Sequence, residues 1–306
     1  MRCELVPVAV VAPPDRHVTS GSIHPNGDLV LLACGFDAAN VLWSRKTGAF
    51  VPPAHGVSRF DRPCEWASFS PDGSRFAMAR VEAPGHDLVL VVDTETQAPV
   101  HTLSYEEGTD GPVSLHWHPN GNVLVSTHMH DDGNAMRFWQ VSGKEPSCLA
   151  RRPSALWDFA FSPDGKWLVE DVYPRGLRRV DPETWEETML SDGEGVYSRF
   201  LPAVGATILA MRSDGVTEEW NLETGALVRV MEAYGAHGGL RAVSPDGTLG
   251  VCTSKSRCLL FYLRTEALVA ETPTVPRGED VRVAFSPDQR LLLTYGHDTR
   301  LYEVRR

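Results

Sequence analysis

One short turn recurs along this chain and limits its fold more than any other feature. It runs "HPNGDLV" from His24, "SPDGSRF" from Ser70, "HPNGNVL" from His118, "SPDGKWL" from Ser162, "SPDGTLG" from Ser244 and "SPDQRLL" from Ser286, with a worn copy, "LPAVGATIL", from Leu201. Pro presets φ at the first corner, and Asp-Gly or Asn-Gly supplies the positive φ that follows, so each copy reverses the chain between two strands. The turn prolines lie at 25, 71, 119, 163, 202, 245 and 287, separated by 46, 48, 44, 39, 43 and 42 residues. A period of about 40 to 45 residues fits one four-stranded propeller blade.

Alignment on the turn extends the repeat. The residue before each copy is apolar: Ile23, Phe69, Trp117, Phe161, Phe200, Val243 and Phe285. Further along each unit stand Trp43, Val92, Trp139, Val180, Trp220, Tyr262 and Tyr302, again apolar or aromatic. Two apolar layers per unit suit sheets that bury both faces against neighbours, which also hides most edges. The last unit supplies three strands, "DVRVAF", "RLLLTYGH" and "TRLYEV", and lacks a fourth. The N-terminal "CELVPVAVV", residues 3–10 at its centre, belongs to no other unit and is expected to complete that blade. The expected fold is all-β: a seven-bladed β-propeller over residues 1–306 as a single domain, closed by pairing of the N-terminal strand with the C-terminal blade.

Composition narrows the function. A hydrophobic share of 42% beside 23% charged residues, with no long uncharged run, excludes disorder and membrane insertion. The net charge of -11 and the lack of a basic run exclude general nucleic-acid binding, which needs clustered Lys and Arg. Cysteines at 3, 34, 64, 148, 252 and 258 show no metal-ligand spacing, so reduced thiols in a cytoplasmic protein are expected. The apolar N-terminus is short, carries Glu4 and Pro7, and reads as structure rather than a cleaved leader.

The turns together with "VLWSRKTG", "RFWQVSGK", "EEWNLETG" and "VVDTETQ" resemble the WD40 repeat family across essentially the whole chain. The aromatic, polar residue and Thr-Gly look like the family's Trp-Asp ending, with the Asp usually replaced. "RSDGVTEEW" and "YGHDTRLY" look like its tight turn between second and third strands, which places Asp214 and Asp298 at the family's structural Asp. The family's Gly-His dipeptide is absent at its usual offset, although His17 and His237 lie nearby, and the sequence assembles no complete Asp, His, Ser or Thr, and Trp tetrad. SPDG turns also occur in TolB-like and lactonase-like propellers; Trp43, Trp139 and Trp220 favour WD40.

Candidate binding residues follow from position. Four residues before each turn stand Ser20, Trp66, Ser114, Asp158, Tyr197, Leu240 and Arg282, and two before stand Ser22, Ser68, His116, Ala160, Arg199, Ala242 and Ala284. Alternation puts both sets on one side of their strands. Trp66, Trp157, Asp158, Tyr197 and Arg282 combine aromatic area with charge, the chemistry of protein-binding hot spots; packing between blades would use the same aromatics. An enzyme of the lactonase or lyase type would draw on His116, Asp158 and Arg199 as acid, base and oxyanion partner. His128, His130 and Asp131, with Asp132, form a metal candidate in "STHMHDDGNAM", although Asp-Asp-Gly-Asn is equally turn chemistry. No nucleophile elbow, phosphate loop or dinucleotide fingerprint is present, and no cofactor is expected. The resemblance implies a non-enzymatic scaffold that binds a protein or peptide partner at a loop face and channel mouth, with a propeller enzyme and a small-ligand or metal sensor as alternatives.

Overall fold

The computed structural model describes residues 3–11, 17–34, 41–52, 66–81, 87–105, 109–130, 134–153, 159–172, 176–192, 197–232, 234–254, 257–272, 281–296 and 298–306. The first strand is β1 (Glu4–Val10). Blade 1 is β2 (Ser20–Ile23), β3 (Leu29–Ala33), β4 (Val41–Ser44) and β5 (Ala49–Val51), and blade 2 is β6 (Ala67–Phe69), β7 (Arg75–Val81), β8 (Asp87–Asp93) and β9 (Pro99–Ser104). Blade 3 is β10 (Thr109–Trp117), β11 (Val123–His130), β12 (Ala135–Gln140) and β13 (Ser147–Pro153), and blade 4 is β14 (Phe159–Phe161), β15 (Leu168–Asp171), β16 (Leu177–Val180) and β17 (Glu187–Ser191). Blade 5 is β18 (Tyr197–Pro202), β19 (Thr207–Arg212), β20 (Thr217–Asn221) and β21 (Ala226–Met231); blade 6 is β22 (Leu240–Val243), β23 (Leu249–Ser254), β24 (Arg257–Tyr262) and β25 (Ala267–Glu271). Blade 7 orders β26 (Arg282–Phe285), β27 (Leu291–Tyr295), β28 (Arg300–Arg305) and then β1. These are the seven antiparallel blades of an all-β propeller, and the N-terminal strand completes the last of them as the unit lengths required. Two further backbone bonds, Val11 N–H to Thr299 O at 2.9 Å and Val18 N–H to Gly296 O at 2.8 Å, extend that junction.

Hydrogen bonds explain why one turn serves so often. In the SPDG copies the Ser N–H donates to the carbonyl five residues on, as Ser70 does to Arg75 at 2.8 Å. The Gly N–H returns to the Ser carbonyl, Gly73 to Ser70 at 2.9 Å. The Ser hydroxyl accepts from the amide five residues on and donates to the turn Asp, at 3.0 and 2.7 Å in Ser70, 3.1 and 2.6 Å in Ser162, and 2.9 and 2.6 Å in Ser244. Every donor buried by the reversal is therefore satisfied within six residues, and the motif works wherever two strands must meet. In the first copy His24 replaces Ser: Nδ1 accepts from Asn26 N–H at 3.2 Å, and Nε2 bonds Gly73 O of the next blade at 3.0 Å. The worn copy differs from the alignment, because Pro202 ends β18 and the reversal comes at Val204 and Gly205, with Ala203 N–H donating to Thr207 O. Ala203 has no hydroxyl, so that turn keeps only the backbone bonds.

The fold divides into two compact units: Pro7–Ser154 with Ser286–Tyr302, and Met1–Val6 with Ala155–Phe285 and Glu303–Arg306. Within the first, Leu31 and Leu42 of blade 1, Phe76 and Val91 of blade 2, and Leu115 and Trp139 of blade 3 share one core, while Ile23, Val30 and Trp43 pack with Leu291, Leu293 and Leu301. Within the second, Val169 and Leu177 pack with Phe200, Ile208 and Trp220, and Leu209 and Tyr234 pack with Leu259 and Phe261. Ile23, Phe69, Trp117 and Phe200 of one layer read from the repeat, and Trp43, Val92, Trp139 and Trp220 of the other, lie in these cores; Val243, Tyr262 and Phe285 are half-buried and the other aligned positions are buried.

The outermost ladder of five blades carries the same irregularity. Register shifts fall between Val91 and Val92, Phe138 and Trp139, Leu177 and Arg178, Glu219 and Trp220, and Leu260 and Phe261 on the third strands. Each leaves one extra residue on the outer strand: Val100, Leu149, Leu190, Val228 and Val269. A bulge there twists the edge and interrupts its hydrogen-bonding row, which blunts edge-to-edge pairing.

Candidate functional site

Trp66 stands immediately before β6, half-buried against the core shared by blades 1 to 3, and its carbonyl accepts from Ala79 N–H at 2.9 Å. Arg282 opens β26 and is exposed. Tyr197 opens β18 and is buried: its hydroxyl donates to Glu218 Oε2 at 2.7 Å. Trp157 and Asp158 lie outside the described residues, as does Asp131; the backbone of His130 closes β11, and its side chain is not described.

The Glu218 carboxylate is the centre of a sealed network. It is 8% exposed, takes the Tyr197 hydroxyl and the Trp220 indole N–H at 3.1 Å on Oε2, and lies 3.6 Å by Oε1 from Arg212 Nη1. Glu218 and Trp220 are two residues apart on β20 and share a face by alternation. Burial, with the carboxylate accepting its proton, pushes the Tyr197 phenol up to about 12.

A second network holds blade 3. Trp139 Nε1 donates to Ser126 Oγ at 3.0 Å, and His128 Nε2 shares a 2.8 Å hydrogen bond with the same hydroxyl. The Tyr105 ring lies 4.0 Å from the His128 ring, with the Arg137 guanidinium 5.2 Å over Tyr105. Ser126 and His128 are within reach of nucleophile and base, but both are fully buried, and the hydroxyl already accepts from the indole. The arrangement is a strand tie without access for substrate. His128, one third of the metal candidate, is thus spent on Ser126; among the described residues no group of three or more His, Cys, Asp or Glu is placed to hold a metal. The sequence missed this network because its His comes from β11 itself, two residues after the Ser, rather than from a Gly-His dipeptide before the first strand. The signal that could have found it was the shared parity of Leu124, Ser126 and His128 opposite Trp139, Arg137 and Ala135.

His116 stands on β10 opposite Val125, and desolvation lowers its pKa to about 4, so the imidazole is neutral at pH 7. Arg199 stands on β18 opposite Met211, with its Nε buried and no hydrogen bond to it. Asp214 accepts from Val216 N–H at 3.1 Å and pairs with Arg212 at 2.7 Å, and Asp298 pairs with Arg300 at 2.8 Å. Both aspartates lie in the turns between second and third strands, and each pairs with an Arg two residues away.

The family model for the WD domain, G-beta repeat, matches residues 97–140. That span begins at the outer strand of blade 2 and ends at the third strand of blade 3, so it contains the whole Trp139, Ser126 and His128 tie. This match and the seven-bladed propeller support a WD40 repeat protein. Two curated relatives agree: the chain is 24% identical over 188 residues to a "WD repeat-containing protein 26 homolog" of Arabidopsis thaliana, covering 61% of this chain and 30% of the relative. It is 20% identical over 198 residues to a "WD repeat-containing protein WDS homolog" of the same plant, covering 64% and 37%. The chain thus spans about a third of the length of these relatives. WD40 propellers generally bind protein partners.

Proposed function

We propose that this protein is a non-enzymatic scaffold of the WD40 type that binds a protein or peptide partner, with Trp66 in one compact unit and Arg282 in the other as separate candidate contacts. The observation that carries this reading is how its reactive side chains are used. Ser126, His128 and Glu218 are buried and committed to tying strands, whereas Arg282 is exposed and Trp66 half-exposed at matched positions four residues before their turns. Tyr197, with its hydroxyl held by Glu218, would shape its strand rather than meet a partner. The five described cysteines form no disulfide with one another, which supports placement in the cytoplasm. The test is quantitative recovery of partners from native cells with Trp66→Ala and Arg282→Ala beside the parent protein. Loss of the same partner in both variants, with unchanged circular dichroism, is expected. Undiminished recovery by both overturns the assignment of these contacts.

A further inference from the structure

The outer wall of blades 4 and 5 differs from its counterparts among the described residues. On β21 three large apolar side chains face solvent, Leu227 at 44%, Val228 at 54% and Val230 at 47% exposure, and Met189 on β17 adds a fourth at 49%. No other described outer strand exposes more than two large apolar residues. The two strands are neighbours: a Cβ on Gly225, which leads into β21, would lie 3.6 Å from Leu190 of β17, and Leu190 packs on the core shared by the two blades.

The rim of this patch is acidic. Glu223 and Glu232 flank β21 and are exposed, as are Glu183, Glu186 and Glu187 at the approach to β17 and Asp192 beyond it. Three cations nearby already face acids: Lys166 lies 3.7 Å from Glu223 and 3.8 Å from Asp164, Arg178 pairs with Glu170 and Glu187 at 2.6 and 2.7 Å, and Arg229 pairs with Glu219, while Arg179, opposite Thr188, is half-buried with its guanidinium over the Trp167 ring. An apolar strip between carboxylates repels nucleic acid and anionic lipid and attracts a ligand of opposite charge. Strand addition is disfavoured, because Leu190 and Val228 are the bulged residues of their ladders and interrupt the edge that an added strand would need.

We propose that this wall is a docking surface for a basic amphipathic segment of a partner protein, whose apolar side chains cover Leu227, Val228, Val230 and Met189 while its Lys or Arg residues meet Glu223, Glu232 and Glu186. The surface is separate from the Trp66 and Arg282 positions, so either assignment can fail without the other. The probe is a short fluorescein-labelled peptide of Leu, Val and Lys, measured by anisotropy beside a counterpart with Glu at each Lys. Saturable binding of the Lys peptide that weakens with added salt is expected, with no binding of the Glu peptide. Affinity falls about tenfold or more in Val228→Lys/Val230→Lys, the scale of losing one central contact. It also falls in Glu223→Lys/Glu232→Lys, which leaves the apolar strip intact and tests charge alone. All four positions are exposed, and native circular dichroism checks the fold of each variant. Absence of saturable binding, equal affinity in the variants, or preference for the Glu peptide overturns the proposal. So does a parent protein that dimerises until Val228→Lys/Val230→Lys abolishes it, since the occupant is then a second copy.

Discussion

Replacing Glu218 by Ala isolates what the buried carboxylate contributes. The change removes the acceptor of the Tyr197 hydroxyl and the Trp220 indole N–H, at 2.7 and 3.1 Å, in a site that water barely reaches. Each orphaned donor costs about 1–3 kcal/mol. The space left by the side chain adds about 1 kcal/mol, so for two donors the expected loss is about 3–7 kcal/mol, a large part of the ~5–15 kcal/mol that holds a typical domain. Glu218→Gln keeps a carbonyl oxygen that can accept both bonds and loses only the charge facing Arg212, so it is expected to cost about 1 kcal/mol. Urea unfolding followed by tryptophan fluorescence and circular dichroism measures both variants, and coincident transitions license the comparison. An Ala variant within about 1 kcal/mol of the parent, or a Gln variant as damaged as the Ala one, refutes the account of this network as hydrogen-bond satisfaction.

Two further expectations come from the turns and from β10. Gly73→Ala puts a Cβ at φ +75°, 2.3 Å from His24 Nε2, so it strains the backbone and displaces the His24 bond to Gly73 O; a loss of about 2–4 kcal/mol in thermal or urea unfolding is expected. His116 has its pKa lowered from 6.5 to about 4, so between those values the unfolded chain binds more protons than the folded one and stability rises with pH. The contribution is complete above about pH 6.5 and lost as pH falls toward 4; His116→Phe flattens that segment of the stability profile, and an unchanged slope refutes it.

The sequence by itself determined the blades, because each signal it carries is local. Ser, Pro, Asp and Gly satisfy one another within six residues, so the SPDG turns and the strands on either side could be placed before any long-range contact was known. The count of strands in the last unit likewise required β1 beside β28, since an apolar strand must find a partner for its backbone. The register slip at Pro202 shows the limit of that logic: with no hydroxyl at Ala203, Thr207 and the strand ladder moved the reversal two residues on. Tertiary structure alone decided the fate of the polar side chains. Tyr197 and Arg282 hold the same place in the repeat, yet Tyr197 is buried with its hydroxyl on Glu218 and Arg282 is exposed. His128 looked like a ligand beside His130 and became a tie to Ser126 because Trp139 faces the same hydroxyl. The exposed strip on β21 was equally invisible, since alternation assigns half of every strand to a core, and only the bulge at Val228 leaves Leu227, Val228 and Val230 in water while Met231 of the same strand is buried.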